Sequence, residues 1–400
     1  MKNHDDLVSP FDAVIPRMGT GSVKWDEAAH RFGGEVLPMW VADMDFAVPD
    51  PIIQDLRKRL EHPIFGYPSD GPVMLRAADE WMAARHGWRP EPGATGSISG
   101  VVPALFAAVR AFTQPGDSVM VMPPIYPPFM NAVRKNGREL LLVPLQREKD
   151  LTYHIDWQAL EKALSRSRLL LFCSPHNPVG RVWTEEELQR LARLCKAADC
   201  LVVSDEIHAD LSYAQHTPFA KLAARSVLLS SAGKSFNIAG IGGGIAIIPD
   251  SELRQTFRDE LYRSQIHQTN ACALTAMTSA WQQGAEWQTA LREYLFTNAQ
   301  FIQEFLRREL AEVGYRIPEF GYLAWLDVAA YGDDDHIQKS LLKAGLGLNL
   351  GPSFGPGGEG FVRLNFAAPR RVLEEGLLRL RSALWRGPKS LQSLSVRCQL

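Results

Sequence analysis

Between residues 97 and 248 the chain alternates short, continuously apolar runs with longer amphipathic segments, and this alternation limits its fold more than any other feature. Residues 119–122, 140–145, 169–173, 201–204, 227–230 and 245–248 are too short for helices and lack a polar face, so each reads as a strand covered on both sides. The intervening segments carry helix starts. Thr184-Glu-Glu-Glu187 is a capping box, and Asp156 precedes an apolar stripe through Leu160 and Leu164. Such alternation predicts an α/β fold, a mainly parallel mixed sheet flanked by helices, with ligands at the carboxyl ends of its strands.

Outside this region the pattern changes. Asp50-Pro51 opens a helix striped by Ile52, Ile53, Leu56 and Leu60 that stops near His62-Pro63, and a second helix covers about 72–86 until Gly87. Helical patterns follow at about 251–263 and 286–312. Strands at 323–327 and 361–366, with helices at 334–344 and 371–384, then predict a second, smaller α/β layer. Residues 1–48 read as an extended arm that joins it. The predicted division is a large domain over 49–287, a small domain from 1–48 plus 288–385, and a disordered tail over 386–400.

The 400 residues are 46% hydrophobic and 22% charged, an ordinary globular balance, and the net charge of −2 leaves no electrostatic footprint for nucleic acid or an anionic membrane. No apolar run approaches the roughly 18 residues that span a bilayer, and the first residues lack the apolar core of a secretion signal. The ligand expected is therefore a small molecule. Five scattered cysteines without a C-x-x-C pair read as reduced thiols in a cytoplasmic protein, and no metal site is expected.

A single lysine stands at the centre of the chemistry. Residues 226–230 form an apolar run that ends in small residues, then Lys234, then glycines 240 and 242–244 ahead of the next run. A lysine held between buried strands is partly desolvated, which lowers its pKa and frees its amine for Schiff-base formation. Gly233-Lys234-Ser235 is not a phosphate-binding P-loop, since Leu228 stands where that motif needs glycine, and Ile245 breaks any G-x-G-x-x-G reading of the glycines. Candidate partners fall at other strand ends. Asp205 ends one run and suits a protonated pyridine nitrogen; Asn177, in Ser174-Pro-His-Asn-Pro-Val-Gly180, suits a phenolate oxygen. Gly100, Val101 and Val102 open a helix whose free N–H groups suit a phosphate, with Ser231 as a hydroxyl donor. Tyr126 sits in a proline-stiffened loop fit for ring stacking. Arg363 and Asn365 share one face of a strand, where the arginine suits a substrate carboxylate.

Together, Ser174-Pro-His-Asn-Pro-Val-Gly180, Ser204-Asp-Glu-Ile-His208, Lys234-Ser-Phe-Asn-Ile-Ala-Gly240 and Arg363-Leu-Asn-Phe-Ala367 resemble the motifs of fold-type I pyridoxal-phosphate enzymes of the class I/II aminotransferase family. Gly19-Thr-Gly-Ser-Val-Lys-Trp25, Trp40-Val-Ala-Asp-Met-Asp-Phe46, Phe65-Gly-Tyr67 and Gly100-Val-Val-Pro103 resemble, more narrowly, the MalY/PatB-type cystathionine β-lyase (C–S lyase) branch. The likeness runs from about Phe11 to Leu384. It implies a pyridoxal 5'-phosphate enzyme that cleaves cystathionine or a related cysteine thioether to a thiol, pyruvate and ammonia. By the same likeness Lys234 carries the cofactor and acts as catalytic base, Asp205 meets the pyridine nitrogen, Asn177 the ring hydroxyl, Tyr126 the ring and Arg363 the substrate carboxylate. His208 replaces the tyrosine usual in aminotransferases. Tyr67 is implied to reach the phosphate of a neighbouring subunit, hence a homodimer. Two positions depart from the pattern: Gly233 where serine is common, and Gly321-Tyr322 where Thr-Tyr is usual. An aminotransferase of the same fold, or a regulatory protein that retains it, is the alternative.

Overall fold

Alternate residues of the apolar runs pack into different cores, and this makes the central sheet. Val119, Val121, Leu169, Leu171, Val203 and Val227 face one helical layer, while Met120, Met122, Leu170, Phe172 and Val202 face the other. The structure, a computed structural model, describes residues 9–385. The expected tail at 386–400 lies outside them.

Seven strands build the large sheet: β1 (Thr95–Ile98), β2 (Ser118–Val121), β3 (Glu139–Leu142), β4 (Ser167–Cys173), β5 (Leu201–Asp205), β6 (Ser226–Ser230) and β7 (Gly244–Ile247). Their order is β1-β7-β6-β5-β4-β2-β3. Only β7 runs against its neighbours, pairing antiparallel with β1 and β6. The other pairs are parallel. The carboxyl ends of β1, β2, β4, β5 and β6 therefore open on one edge of the sheet. Thr184 and Glu187 close the expected capping box on helix Glu185–Ala197, and Asp156 caps Trp157–Leu164 through the Ala159 N–H.

The smaller layer is an antiparallel sheet of β8 (Gly314–Tyr315), β9 (Leu323–Asp327), β10 (Asn349–Leu350) and β11 (Phe361–Asn365), in the order β8-β9-β11-β10. Helices Ala285–Glu309, Asp334–Lys343 and Arg370–Leu384 cover it. Phe11, Met39, Met44 and Phe46 from the amino-terminal arm pack into the same core as Leu291, Leu295, Ile302 and Leu364. The arm also pairs with this layer through its backbone, Leu37 beside Leu346 and the Asn365 N–H on the Met39 carbonyl. It is less extended than the sequence suggests, with single helical turns at Val23–Asp26 and Ala28–Phe32.

Several elements escaped the sequence reading, among them helix Pro128–Lys135, the short strands β8 and β10, and two that bear on the large domain. Strand β1 is Thr-Gly-Ser-Ile, too polar and glycine-bearing to stand out as a core run, and it lies at the sheet edge. Helix Ala271–Gln283 buries small residues, Ala273, Ala276 and Ala280, which leave no strong apolar stripe. They let it pack closely with Ile52, Met74 and Trp81 from the two helices that precede β1.

Candidate active site

Strand β6 delivers Lys234 to the carboxyl edge. Ser231 ends the strand and caps a single turn, Ala232–Ser235, by accepting the Gly233 N–H at 3.0 Å. The lysine amine donates to the Ala42 carbonyl at 2.5 Å. Burial and the nearby Arg363 guanidinium lower its pKa to about 8, against the pull of Asp43 and Asp205. An amine so placed is neutral in about a tenth of molecules at pH 7, on the order of a hundredfold more than an ordinary lysine.

Asp205 ends β5 and is 6% exposed. Burial pushes its pKa up to about 7; the Ile207 N–H, 3.1 Å from Oδ1, and Lys234 oppose the rise, and Glu206 adds to it. A carboxylate left so poorly solvated gains by meeting a cationic ring nitrogen. His208, one turn on, is buried against Phe320 and Tyr322 and lowered to about 3 by burial and by the charges of Lys234 and Arg363, so its ring is neutral.

Arg363 lies on β11 yet reaches the same place. It is 4% exposed. Its Nη1 donates to Asn177 Oδ1 at 3.1 Å, and its Nη2 to the Trp40 carbonyl at 3.1 Å and Asn349 Oδ1 at 2.9 Å, above the Phe354 ring. All these acceptors are neutral, and burial lowers the guanidinium to about 10. It remains cationic at neutral pH with no carboxylate in that set of partners. Tyr126 stands between the charges of Arg363 and Asp205, its hydroxyl pKa raised by burial, and its N–H bonds the Asn177 carbonyl at 3.1 Å.

A loop from the arm closes the site. Asn365 donates to the Val41 and Asp43 carbonyls, both at 2.6 Å, Tyr322 donates to Ala42 O at 3.1 Å, and Asn237 holds Met44 and Phe46. Behind it, Asp45 receives Arg17 at 2.7 Å, Lys24 at 2.7 Å and Trp25 at 2.9 Å. The two motifs Gly19-to-Trp25 and Trp40-to-Phe46 thus form one ion-paired unit that shapes the loop over Lys234.

A second corner is built around Gly243. Its N–H meets the Ser99 carbonyl at 3.0 Å, one residue before Gly100 and the helix Val101–Phe112, and its carbonyl accepts the Ser231 hydroxyl at 2.9 Å. The first-turn N–H groups at Val101 and Val102 are those a helix leaves unpaired. The Ser231 proton is already engaged, so donation to a phosphate requires it to leave Gly243. At Gly233 an added Cβ would meet Ser231 Oγ at 3.3 Å and the Ala239 Cα at 3.4 Å, so a side chain there would need the Ser231 hydroxyl to give by a few tenths of an ångström. Gly321 has φ +71, a backbone that disfavours the usual threonine.

Lys234, Asp205, His208, Tyr126, Asn177 and Arg363 are thereby brought together, and Gly100, Val101, Val102 and Ser231 form the adjoining corner. Tyr67 stands apart, 94% exposed on the loop between helices Asp50–Glu61 and Pro72–His86. Sequence reasoning missed Asn349 and Phe354 and gave Tyr322 no role. Asn349 is opposite Arg363 in the β10–β11 register, a pairing that no local motif announces. The set fits pyridoxal phosphate: an amine for its aldehyde, a carboxylate for its ring nitrogen and a helix start for its phosphate. His208 Nδ1, Ser174 Oγ and Arg363 Nε are, besides, buried without a hydrogen-bond partner among the described residues.

The chain is similar to known proteins over most of its length. The model of the family "Aminotransferase class I and II" matches residues 44–380. The chain is 45% identical over 385 residues to cystathionine beta-lyase PatB of Bacillus subtilis (strain 168), covering 94% of this chain and 99% of that protein. It is 35% identical over 384 residues to protein MalY of Escherichia coli (strain K12), covering 94% and 98%. Among solved structures, cystalysin from Treponema denticola, which contains a pyridoxal 5'-phosphate cofactor, superposes with TM-score 0.91 at 33% identity over 94% of this chain and 99% of that one. The PLP-bound C-S lyase from Staphylococcus hominis gives TM-score 0.88 at 31% identity over 95% and 99%.

Proposed function

Because the chain belongs to the class I and II aminotransferase family, we propose that it works as a pyridoxal-phosphate-dependent carbon–sulfur β-lyase on L-cystathionine or a related cysteine thioether. The observation that carries this reading is the half-buried Lys234 amine, its pKa lowered to about 8 between the buried Arg363 and Asp205. When bound, pyridoxal phosphate supplies the electron sink that accepts the pair left at the substrate α-carbon, so the thiolate departs from the β-carbon.

Each residue of the chain has a separate task in this reading. Lys234 would hold the cofactor, and its amine would take the α-proton as general base. Its lowered pKa leaves a neutral amine for that step. Asp205 would pair with the ring nitrogen and favour its protonated form, and the burial that makes the carboxylate costly alone would make that pairing strong. Asn177, bonded to Arg363 through Oδ1, keeps its amide N–H group for the ring oxygen. Tyr126 covers the ring. The helix start at Gly100, Val101 and Val102 takes the phosphate.

Arg363 receives the substrate carboxylate as a fork. Trp40 O and Asn349 hold its plane but occupy both Nη2 protons, so a forked contact requires one of them to give way, while Nε and one Nη1 proton are free. The loop 40–46, held by Asn365, Asn237 and Tyr322, limits water at the reacting carbon. In the overall reaction the thioether and one water give a thiol, pyruvate and ammonia.

We read the assembly as a homodimer in which Tyr67 reaches the neighbouring site. Ile64, Phe65 and Tyr67 are 67%, 58% and 94% exposed on one loop, a concentration of apolar surface that a second copy would cover. The buried thiols Cys173, Cys195 and Cys200 suit a reducing, cytoplasmic setting, which cell fractionation checks. The function is tested by incubating the purified enzyme, loaded with cofactor, with L-cystathionine and measuring pyruvate and free thiol. Equal amounts of both are expected. Exchange of amino and keto acids without thiol release would make it an aminotransferase instead.

A further inference from the structure

On the far side of the 3-10 turn Ala209–Leu211 from the lysine lies a polar cavity of about 180 Å³, lined by Arg85, His86, Ser212, Tyr213, His216 and Arg292 among others. The catalytic reading uses none of these residues. The cavity gathers an unusual share of unmet hydrogen-bonding capacity. Arg85 Nε, Ser212 Oγ, His216 Nδ1 and Arg292 Nε are all buried without a partner among the described residues. Ser212 and His216 are only 3% and 4% exposed, so water does not readily serve them.

The charge points the same way. Arg85 donates to the Asp210 carbonyl at 3.0 Å and Arg292 to the Ser212 carbonyl at 2.5 Å, so these contacts occupy each guanidinium with a neutral oxygen. Burial and the like charge of Arg85 hold Arg292 below its ordinary pKa. Of the neighbouring carboxylates, the exposed Glu293 acts on Arg292 from the surface, and Asp210 and Glu206 are bonded to other groups. Asp210 Oδ1 meets His86 Nε2 at 2.9 Å and Trp81 at 2.9 Å, Asp210 Oδ2 accepts Ser235 at 3.1 Å, and Glu206 meets His216 Nε2 at 2.8 Å. Two arginines on one cavity wall, each with an unpartnered Nε, beside the orphaned Ser212 hydroxyl, leave donor capacity that an anion meets.

We propose that this cavity is a binding site for a small oxyanion, held by forked contacts from Arg85 and Arg292 and by the Ser212 hydroxyl. The volume accommodates an ion of the size of orthophosphate with a water or two, and it excludes a nucleotide. The site is separate from the phosphate corner at Gly100, since it lies behind Asp210 and is lined by different elements.

The test is calorimetric titration of the cofactor-loaded enzyme, whose own phosphate corner is then filled, with orthophosphate and, separately, acetate at matched ionic strength. Saturable binding at one ion per chain is expected from at least one of them, and the preference separates a phosphate-type from a carboxylate-type ligand. Arg85→Gln and Arg292→Gln are each expected to weaken it by at least about tenfold, the loss of one charge-assisted pair. Lys221→Gln, on another face, should leave it unchanged. Retained cofactor absorbance shows that a variant is folded; if Arg292→Gln is not, Arg85→Gln and Ser212→Ala decide. No saturable heat from either ion, or equal affinity in wild type and the folded variants, would overturn the proposal and leave an adventitious ion only.

Discussion

Replacing Arg363 by lysine keeps the charge and removes the fork, and the structure sets the size of the effect. The guanidinium is 4% exposed and already spends Nη1 on Asn177 and Nη2 on Trp40 O and Asn349. Its Nε is left over, and the whole plane is held over Phe354 at 4.9 Å. A lysine cannot hold these acceptors and also meet both oxygens of a substrate carboxylate. Two charge-assisted hydrogen bonds at about 1.5–3 kcal/mol each are weakened or lost. That amounts to roughly 3–6 kcal/mol, or about 10²–10⁴-fold in kcat/KM. Pyruvate release from L-cystathionine measures it, and Arg363→Ala should be little worse than Arg363→Lys. A thioether amine lacking the α-carboxylate should lose its disadvantage in Arg363→Ala. The exposed Arg307, paired with Glu304 on a helix surface, serves as control and should tolerate lysine within about tenfold. The carboxylate role is refuted if Arg363→Lys retains kcat/KM within that same margin.

Asp45→Ala leaves Lys24, 1% exposed, without its 2.7 Å partner, so stability should fall by about 3–5 kcal/mol in denaturant unfolding; adding Lys24→Met should recover part of it. In the cofactor-free protein Asp205 is raised from 3.8 to about 7, so the fold binds the extra proton more readily than the unfolded chain does. Its contribution is full below pH 3.8 and is lost as pH rises through 7, a decline of about 4 kcal/mol at most, at about 1.4 kcal/mol per pKa unit. Asp205→Asn should flatten that slope, and an unchanged profile would show that another group produces it. If Tyr67 serves the neighbouring site, mixing inactive Tyr67→Ala and Lys234→Ala chains should restore activity in hybrid dimers, whereas no recovery after subunit exchange would place Tyr67 outside the site.

The large sheet was legible because strands covered on both faces carry unbroken apolar runs, and the catalytic groups followed from it. Lys234, Asp205 and Asn177 each lie within a few residues of the carboxyl end of such a run, which is where a parallel sheet gathers ligands. Helix Ala271–Gln283 was not legible, because a helix that packs through alanines has no large apolar stripe to reveal it. The arm was legible as an extended segment, but its helical turns and ion pairs were not. That Asp43 and Asp45 answer Arg17 and Lys24 depends on chain folding back over about twenty residues, and neither local period nor spacing encodes it. The hold on Arg363 by Asn349 is likewise a matter of register between β10 and β11. The cavity at Arg85 and Arg292 joins residues about two hundred positions apart, each of which reads alone as an ordinary helix-surface arginine.

The most direct measurement is to reduce the cofactor-loaded enzyme with borohydride, digest it and locate the modified lysine by mass spectrometry. A half-buried amine beside Ala42 O, with its pKa lowered to about 8, is the group that should carry the cofactor. The result predicted is one pyridoxyl group per chain on Lys234, with no label and no pyruvate formation in Lys234→Ala. A label on any other lysine, or pyruvate release at the wild-type rate from the Lys234→Ala protein, would contradict it.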